Sequence, residues 1–116
     1  MEIKRFDEND RLSLACLSDG IIYLSGAVGD VLLDDFKSQA ESLFRKIDES
    51  LKNYGSNKDN MISVRIYLRD INNFHIFNEI YEKWLKKNKK PARTCVGAEL
   101  ADKRWLVEME VVAKKI

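Results

Sequence analysis

The hydrophobic positions along this chain change period several times, and each change predicts an element. Leu12, Leu14 and Cys16 alternate with Ser13, Ala15 and Leu17, the two-residue repeat of a strand. Asp19-Gly20 is a tight-turn pair, and the β-branched and aromatic run Ile21-Ile22-Tyr23-Leu24-Ser25 follows it up to Gly26, so a hairpin is expected. A short additional strand fits near residues 28–32. From about Leu33 the repeat becomes helical, with Phe36, Ala40, Leu43, Phe44, Ile47 and Leu51 on one stripe and charges on the other face. Asp34 or Asp35 suits the N-terminal cap, and Gly55 suits the stop.

The second half repeats the theme. Ile62, Val64, Ile66 and Leu68 alternate with Ser63, Arg65, Tyr67 and Arg69, a strand with one buried face. Asp70-Ile71-Asn72-Asn73 introduces a second helix, whose Phe74, Phe77, Tyr81 and Trp84 share a stripe that reads as core. Pro91 closes the helical region. Two strands are then expected, roughly 93–100 and 104–113, joined as a hairpin by a turn around Asp102-Lys103. A turn centred between Ala101 and Asp102 pairs Cys95 with Glu108 and Arg93 with Glu110. It also assigns Val96, Ala98 and Leu100, with Val107, Met109 and Val111, to the core, leaving Arg93, Cys95, Glu108 and Glu110 on the opposite face. The order β-β-α-β-α-β-β predicts an α+β sandwich with both helices on one face of a mixed sheet.

Composition narrows the class without naming a function. The 116 residues are 45% hydrophobic and 34% charged, with one proline and no low-complexity stretch, so a single domain over 1–116 is expected. No apolar run approaches the roughly 20 residues of a membrane span, and the first residues lack a secretory core, which points to the cytoplasm. Cys16 and Cys95 have no metal-ligand or redox spacing and read most simply as free thiols. A net charge of +1 gives no global pull toward nucleic acid or anionic lipid. The basic run from Lys83 to Lys90 reads as a solvated helix end, where cations complement the macrodipole.

Familiar catalytic signatures are absent. His75 is the single histidine, so a nucleophile–histidine dyad or multi-histidine metal site has no material, and its place one residue after Phe74 suggests the surface. Ser25-Gly26-Ala27-Val28-Gly29 lacks both the P-loop lysine and the dinucleotide fingerprint. An arginine fork beside carboxylates, Arg93 with Glu108 and Glu110, is the one constellation with chemical content. Taken alone it reads more readily as a cross-strand ion pair on a wet surface, carrying no function.

The segments Tyr23-Leu24-Ser25-Gly26, Tyr67-Leu68-Arg69-Asp70-Ile71-Asn72-Asn73-Phe74 and Asn78-Glu79-Ile80-Tyr81 add a further reading. With Pro91-Ala92-Arg93-Thr94-Cys95-Val96 and Leu106-Val107-Glu108-Met109-Glu110, they resemble the Rid (YjgF) family of reactive-intermediate deaminases over most of the chain. The resemblance implies a chorismate-mutase-like fold and a homotrimer whose sheets line a central barrel, with active sites in clefts between subunits. It further implies a cofactor-independent, metal-free hydrolase that turns 2-imino acids of the 2-aminoacrylate type into 2-keto acids and ammonia. Arg93 would grip the carboxylate and Glu108 would activate water. Cys95, Ser25, Gly26 and Asn78 would complete the binding site, Cys95 through its backbone rather than as a nucleophile. The alternative within the same resemblance is a non-catalytic trimer that binds or senses small carboxylates such as keto acids. Neither reading calls for nucleic acid or membrane as a partner.

Two departures stand out. Where archetypal members carry Gly-Pro-Tyr-Ser-Gln, with a tyrosine that closes the pocket, this chain has Arg11-Leu12-Ser13-Leu14-Ala15, and in that it is similar to the YoaB-like branch. Gly97 also stands where a larger, usually acidic residue is common.

Overall fold

The computed structural model describes residues 2–30, 32 and 34–116. Its elements are β1 (Lys4–Glu8), β2 (Ser13–Ser18), β3 (Ile21–Leu24), β4 (Ala27–Val28), α1 (Phe36–Asn53), β5 (Met61–Leu68), α2 (Phe74–Trp84), β6 (Ala92–Gly97) and β7 (Val107–Lys114). Single 3₁₀ turns precede β5 and α2. The strands form one mixed sheet in the order β1-β2-β3-β7-β5-β6, with β4 also pairing to β7. Both helices pack on one sheet face, giving the α+β sandwich expected from the periodicities. Among the described residues no helix is long and apolar enough to cross a membrane.

The helices form where the pattern placed them. Asp35 is the N-cap of α1, its carboxylate accepting from the Ser38 backbone N–H at 3.1 Å. The start expected near Leu33 lies outside the described residues. Gln39, Ala40, Leu43, Phe44, Ile47 and Leu51 are the buried face of α1. Gly55 takes a positive φ of 86° just beyond the helix, the left-handed conformation that ends helices cheaply. From α2, Phe77, Ile80 and Tyr81 are buried, and the Phe44 and Trp84 rings stack at 4.4 Å between the helices.

The first hairpin turns at Asp19-Gly20, both at positive φ, as the dipeptide predicted. β1 was not legible from the pattern; it adds to β2 as an edge strand rich in charge, a composition that discourages further pairing. The short strand expected near 28–32 is β4, only Ala27–Val28, while Val31 lies outside the described residues.

The C-terminal pair departs from expectation. β6 and β7 are not a hairpin: β5 lies between them, parallel to β6 and antiparallel to β7. Thus Val64 pairs with both Arg93 and Val111, Ile66 with Cys95 and Met109, and Tyr67 with Val96 and Glu108. Residues side by side across a ladder share a face. Val64, Ile66, Met109 and Val111 are buried beneath the helices, so Arg93 and Cys95 lie on the helix face. Glu108 and Glu110 lie on the back face with Tyr67 and Val96. The core role expected for Val96, Ala98 and Leu100 therefore fails; Val96 is 41% exposed and the other two are half-buried. The turn assumed around Asp102-Lys103 instead belongs to a longer connection that crosses the end of β5. On the back face, Leu14 and Tyr23, each 49% exposed, join Val96 as apolar surface.

Candidate functional site

The predicted site residues form two groups, one on each face. On the helix face, edge strand β6 presents Arg93 under α2. One guanidinium N–H (Nη2) donates to Asn78 Oδ1 at 2.6 Å. The guanidinium carbon also lies 4.8 Å from the Tyr81 ring centre, 5.7 Å from Phe74 and 5.9 Å from Phe77. Cation–π contacts and a side-chain acceptor together hold the planar fork, and among the described residues its other N–H donors have no side-chain acceptor. The aromatic stripe of α2 is therefore both core and cage, a double role its spacing could not signal.

Two positions along β6, Cys95 opens onto a cavity of about 410 Å³, and Ile71, Asn72, Phe74 and His75 complete the lining. Burial pushes the Cys95 thiol up from its ordinary value, and the Arg93 cation only partly opposes this. A thiol held protonated is a poor nucleophile, in keeping with the wall role the resemblance implies. His75 is exposed, as its position suggested, yet it stands on the rim of this cavity; parity within the helix gave no hint of that neighbour.

The second group sits on the back face. β3 and β4 both run beside β7, but four residue steps from Tyr23 to Ala27 oppose three from Val112 to Met109. The extra residue is a bulge at Ser25-Gly26. It brings the Gly26 backbone directly under Glu108, so closely that a Cβ there would collide with the Glu108 carboxylate. Glycine here allows the carboxylate its close approach and is not required for backbone freedom. Ser25 Oγ donates to the Ser13 carbonyl at 2.7 Å, which commits its hydrogen to holding the bulge. Tyr67, Ala98, Glu99 and Leu100 wall a crevice of about 320 Å³ around Gly26 and Glu108. Burial, and secondarily the neighbouring Glu110, raises the Glu108 carboxyl above its ordinary value. Glu110 in turn lies 3.8 Å from Arg65, an exposed pair of little energetic consequence.

The expectation that Arg93 and Glu108 share one face thus fails within a single chain. Its premise was a hairpin; inserting β5 leaves the alternation along each strand intact but reverses which set of β6 side chains meets the helices. Arg93, Cys95 and Asn78 are brought together, as are Glu108 and Gly26, and the sheet separates the two groups; Ser25, next to Gly26, lines a separate cavity of about 390 Å³ beside α1. Among the described residues no cluster of His, Cys, Asp or Glu converges as a metal site.

Comparison with known proteins gives a consistent picture. The family model described as Endoribonuclease L-PSP matches residues 2–115. A RutC family protein of Haemophilus influenzae is 30% identical over 114 residues, covering 97% of this chain and 98% of the relative. The RutC family protein YoaB of Escherichia coli K12 is 31% identical over 113 residues, with 97% and 98% covered. Among solved structures, a YjgF family member from Neisseria meningitidis superposes with a TM-score of 0.93 at 34% identity, over 100% of this chain and 97% of that one.

Proposed function

The chain belongs to the Endoribonuclease L-PSP family, the group that includes the RutC, YoaB and YjgF proteins, and on that premise we propose that it is a cofactor-independent imine deaminase. Its substrates are 2-imino acids, and its sites lie between subunits of a homotrimer. The observation that carries the reading is the division of one reaction's needs between two faces. A caged guanidinium suited to a carboxylate lies on the helix face, and a carboxylate of raised pKa lies on the back face. A second copy laid on the back face, with its β6 edge toward Glu108, would close the pair into one cleft. The exposed Leu14, Tyr23 and Val96 on that face give the contact an apolar component.

In such a cleft Arg93 binds the substrate carboxylate through the planar fork that a lysine would not reproduce. The imine carbon then lies near Cys95, two residues along the strand. Glu108 takes a proton from water as the water oxygen bonds to the imine carbon, whose C=N electrons pass to nitrogen. The adduct carries hydroxyl and amine on one carbon. Glu108 gives nitrogen the proton it took. The hydroxyl then loses its proton, by way of Glu108, to the amine; its electrons form the C=O bond as the C–N bond breaks, and ammonia leaves with the 2-keto acid behind. Water is consumed, and no oxidant or reductant enters. Holding water and imine together supplies much of the acceleration, because imines already hydrolyse slowly in solution.

The test generates an imine in situ from an amino acid and an amino-acid oxidase and follows keto-acid formation. Acceleration by the protein, lost in Arg93→Ala, is the expected result; a rate equal to the uncatalysed one in the wild type overturns the reading. The absence of a phenol at Ser13, the first residue of β2, favours a second reading in which the clefts bind keto acids without turnover. Calorimetric binding of pyruvate by a protein that accelerates no imine hydrolysis would select it.

A further inference from the structure

We infer that Arg69 is a positioning residue that fixes one wall of the Glu108 crevice and thereby sets which acid side chains the crevice admits. The inference rests on the proposal that this crevice receives the substrate.

The connection from β6 to β7 has an unusual task. It leaves the sheet edge at Gly97 and re-enters at Val107, two strand positions inward, so it must cross the end of β5, roughly 10 Å at ordinary strand spacing. A loop on such a path turns its carbonyls away from any ladder, and each needs a donor or water. Backbone bonds fasten its two ends: Ala98 N–H to the Leu68 carbonyl at 2.9 Å, and Arg69 N–H to the Leu106 carbonyl at 3.1 Å. Between them the Arg69 side chain reaches carbonyls at both ends of the loop. Its Nε donates to the Trp105 carbonyl at 2.8 Å, and its Nη2 to the carbonyls of Asp102 at 2.8 Å and Leu100 at 3.2 Å. A planar fork can reach three differently directed acceptors at once; an ammonium on a flexible stem cannot hold the same set.

Further bonds show how firmly the far end is held. Buried Gln39 of α1 accepts from Leu106 N–H at 2.6 Å and donates to the Arg104 carbonyl at 3.1 Å. Asp102 accepts from the backbone and guanidinium of Arg104, which holds its carboxyl down at about 2. Among the described residues, α1 makes no side-chain hydrogen bond of this kind to the near end, 98–101. It is this near end that forms the crevice wall beside Gly26 and Glu108. Leu100 belongs to both descriptions: its carbonyl is held by Arg69, and its residue lines the crevice. Glu108 itself is set by the β5 and β4 ladders on either side. Removing the Arg69 fork therefore loosens the wall and leaves the carboxylate in place, which separates selectivity from chemistry.

Binding and turnover can be measured on the same intact protein. Pyruvate and 2-oxohexanoate serve as short and long probes for calorimetry, and the matching imines serve for kinetics. Arg69→Met is expected to change the ratio of the two Kd values by about threefold or more, a small fraction of what one misplaced methylene can do in a fitted pocket. KM should rise while kcat stays within about threefold, and Arg69→Lys should fall between Arg69→Met and the wild type. Lys103→Ala, a solvent-facing change on the same loop, should keep the wild-type ratio. An unchanged ratio in both Arg69 variants overturns the inference, since general destabilisation would weaken both ligands alike. A wild-type protein that binds the probes but accelerates no imine hydrolysis sinks the deaminase proposal and leaves the Kd ratio to decide Arg69. Failure of the wild type to bind either probe overturns both.

Discussion

The chemistry of this chain is concentrated in single atoms whose surroundings are set by close contacts. Glu108 is the clearest case, since burial and Glu110 both disfavour its charged form. A base must be ionised to act, so kcat/KM should rise with pH through a midpoint above the ordinary glutamate value of about 4.3 and then level off. Glu108→Gln should flatten that limb and lower the rate by about 10²–10⁴-fold, read from pH–rate profiles. The same shift has a stability sign. A carboxyl whose folded pKa is raised penalises the fold as pH climbs through the unfolded and then the folded value. Glu108→Gln should therefore melt no lower than the wild type at neutral pH, and lower only if the residue is structural. Gly26→Ala tests the contact from the other side. It displaces the carboxylate without requiring an unusual backbone angle, so activity should fall by more than the melting temperature suggests.

At the scale of elements, the clasps between strands and helices can be tested by subtraction. Tyr54, just past α1, donates its hydroxyl to Asp7 in β1, and its ring lies 5.2 Å from Phe6. The bond and the adjacent carboxylate push the phenol up to about 12. Tyr54→Phe should cost about 1 kcal/mol at neutral pH, discounted for an exposed site, in urea unfolding. Because the folded pKa is raised, the wild-type advantage is fully present below the unfolded value near 10 and should shrink as pH rises toward 12. The basic end of α2 behaves as its charge pattern suggested. Lys90 Nζ donates to the Leu85 carbonyl at 2.7 Å and Lys58 Nζ to the Trp84 carbonyl at 3.1 Å, so cations satisfy the helix's last acceptors. Elements of this kind were legible because their causes are local: a cap, a stripe, a turn pair. The pairing of β6 was not, because Arg93/Cys95 and Thr94/Val96 are both tolerable on either face. The strand's alternation says which residues travel together and leaves the choice of side to its neighbour.

For the whole molecule, the separation of Arg93 from Glu108 by the sheet makes assembly a condition of the proposed activity. Inactive Arg93→Ala and Glu108→Gln proteins, unfolded together and refolded as mixed rings, should recover about a quarter of wild-type activity, because a quarter of the interfaces then join an intact arginine to an intact glutamate. Recovery of nothing, from rings shown to be mixed, would mean that each chain completes its own site. The amino-acid order by itself determined both helices, a cap at Asp34 or Asp35, the turn at Asp19-Gly20, the inward face of β7 and that of β5 from Val64 onward, since each follows from periodicity or from the conformational preference of a few adjacent residues. Ile62, expected on that face, is exposed at an irregularity in the β5–β7 ladder. Tertiary structure alone decided that β5 lies between β6 and β7, that Ser25-Gly26 bulges under Glu108, and that Arg69 spans the loop connecting the two half-sites. Those outcomes depend on which distant strand supplies the hydrogen-bond partners, and strand pairing is a competition among remote segments that no local pattern records.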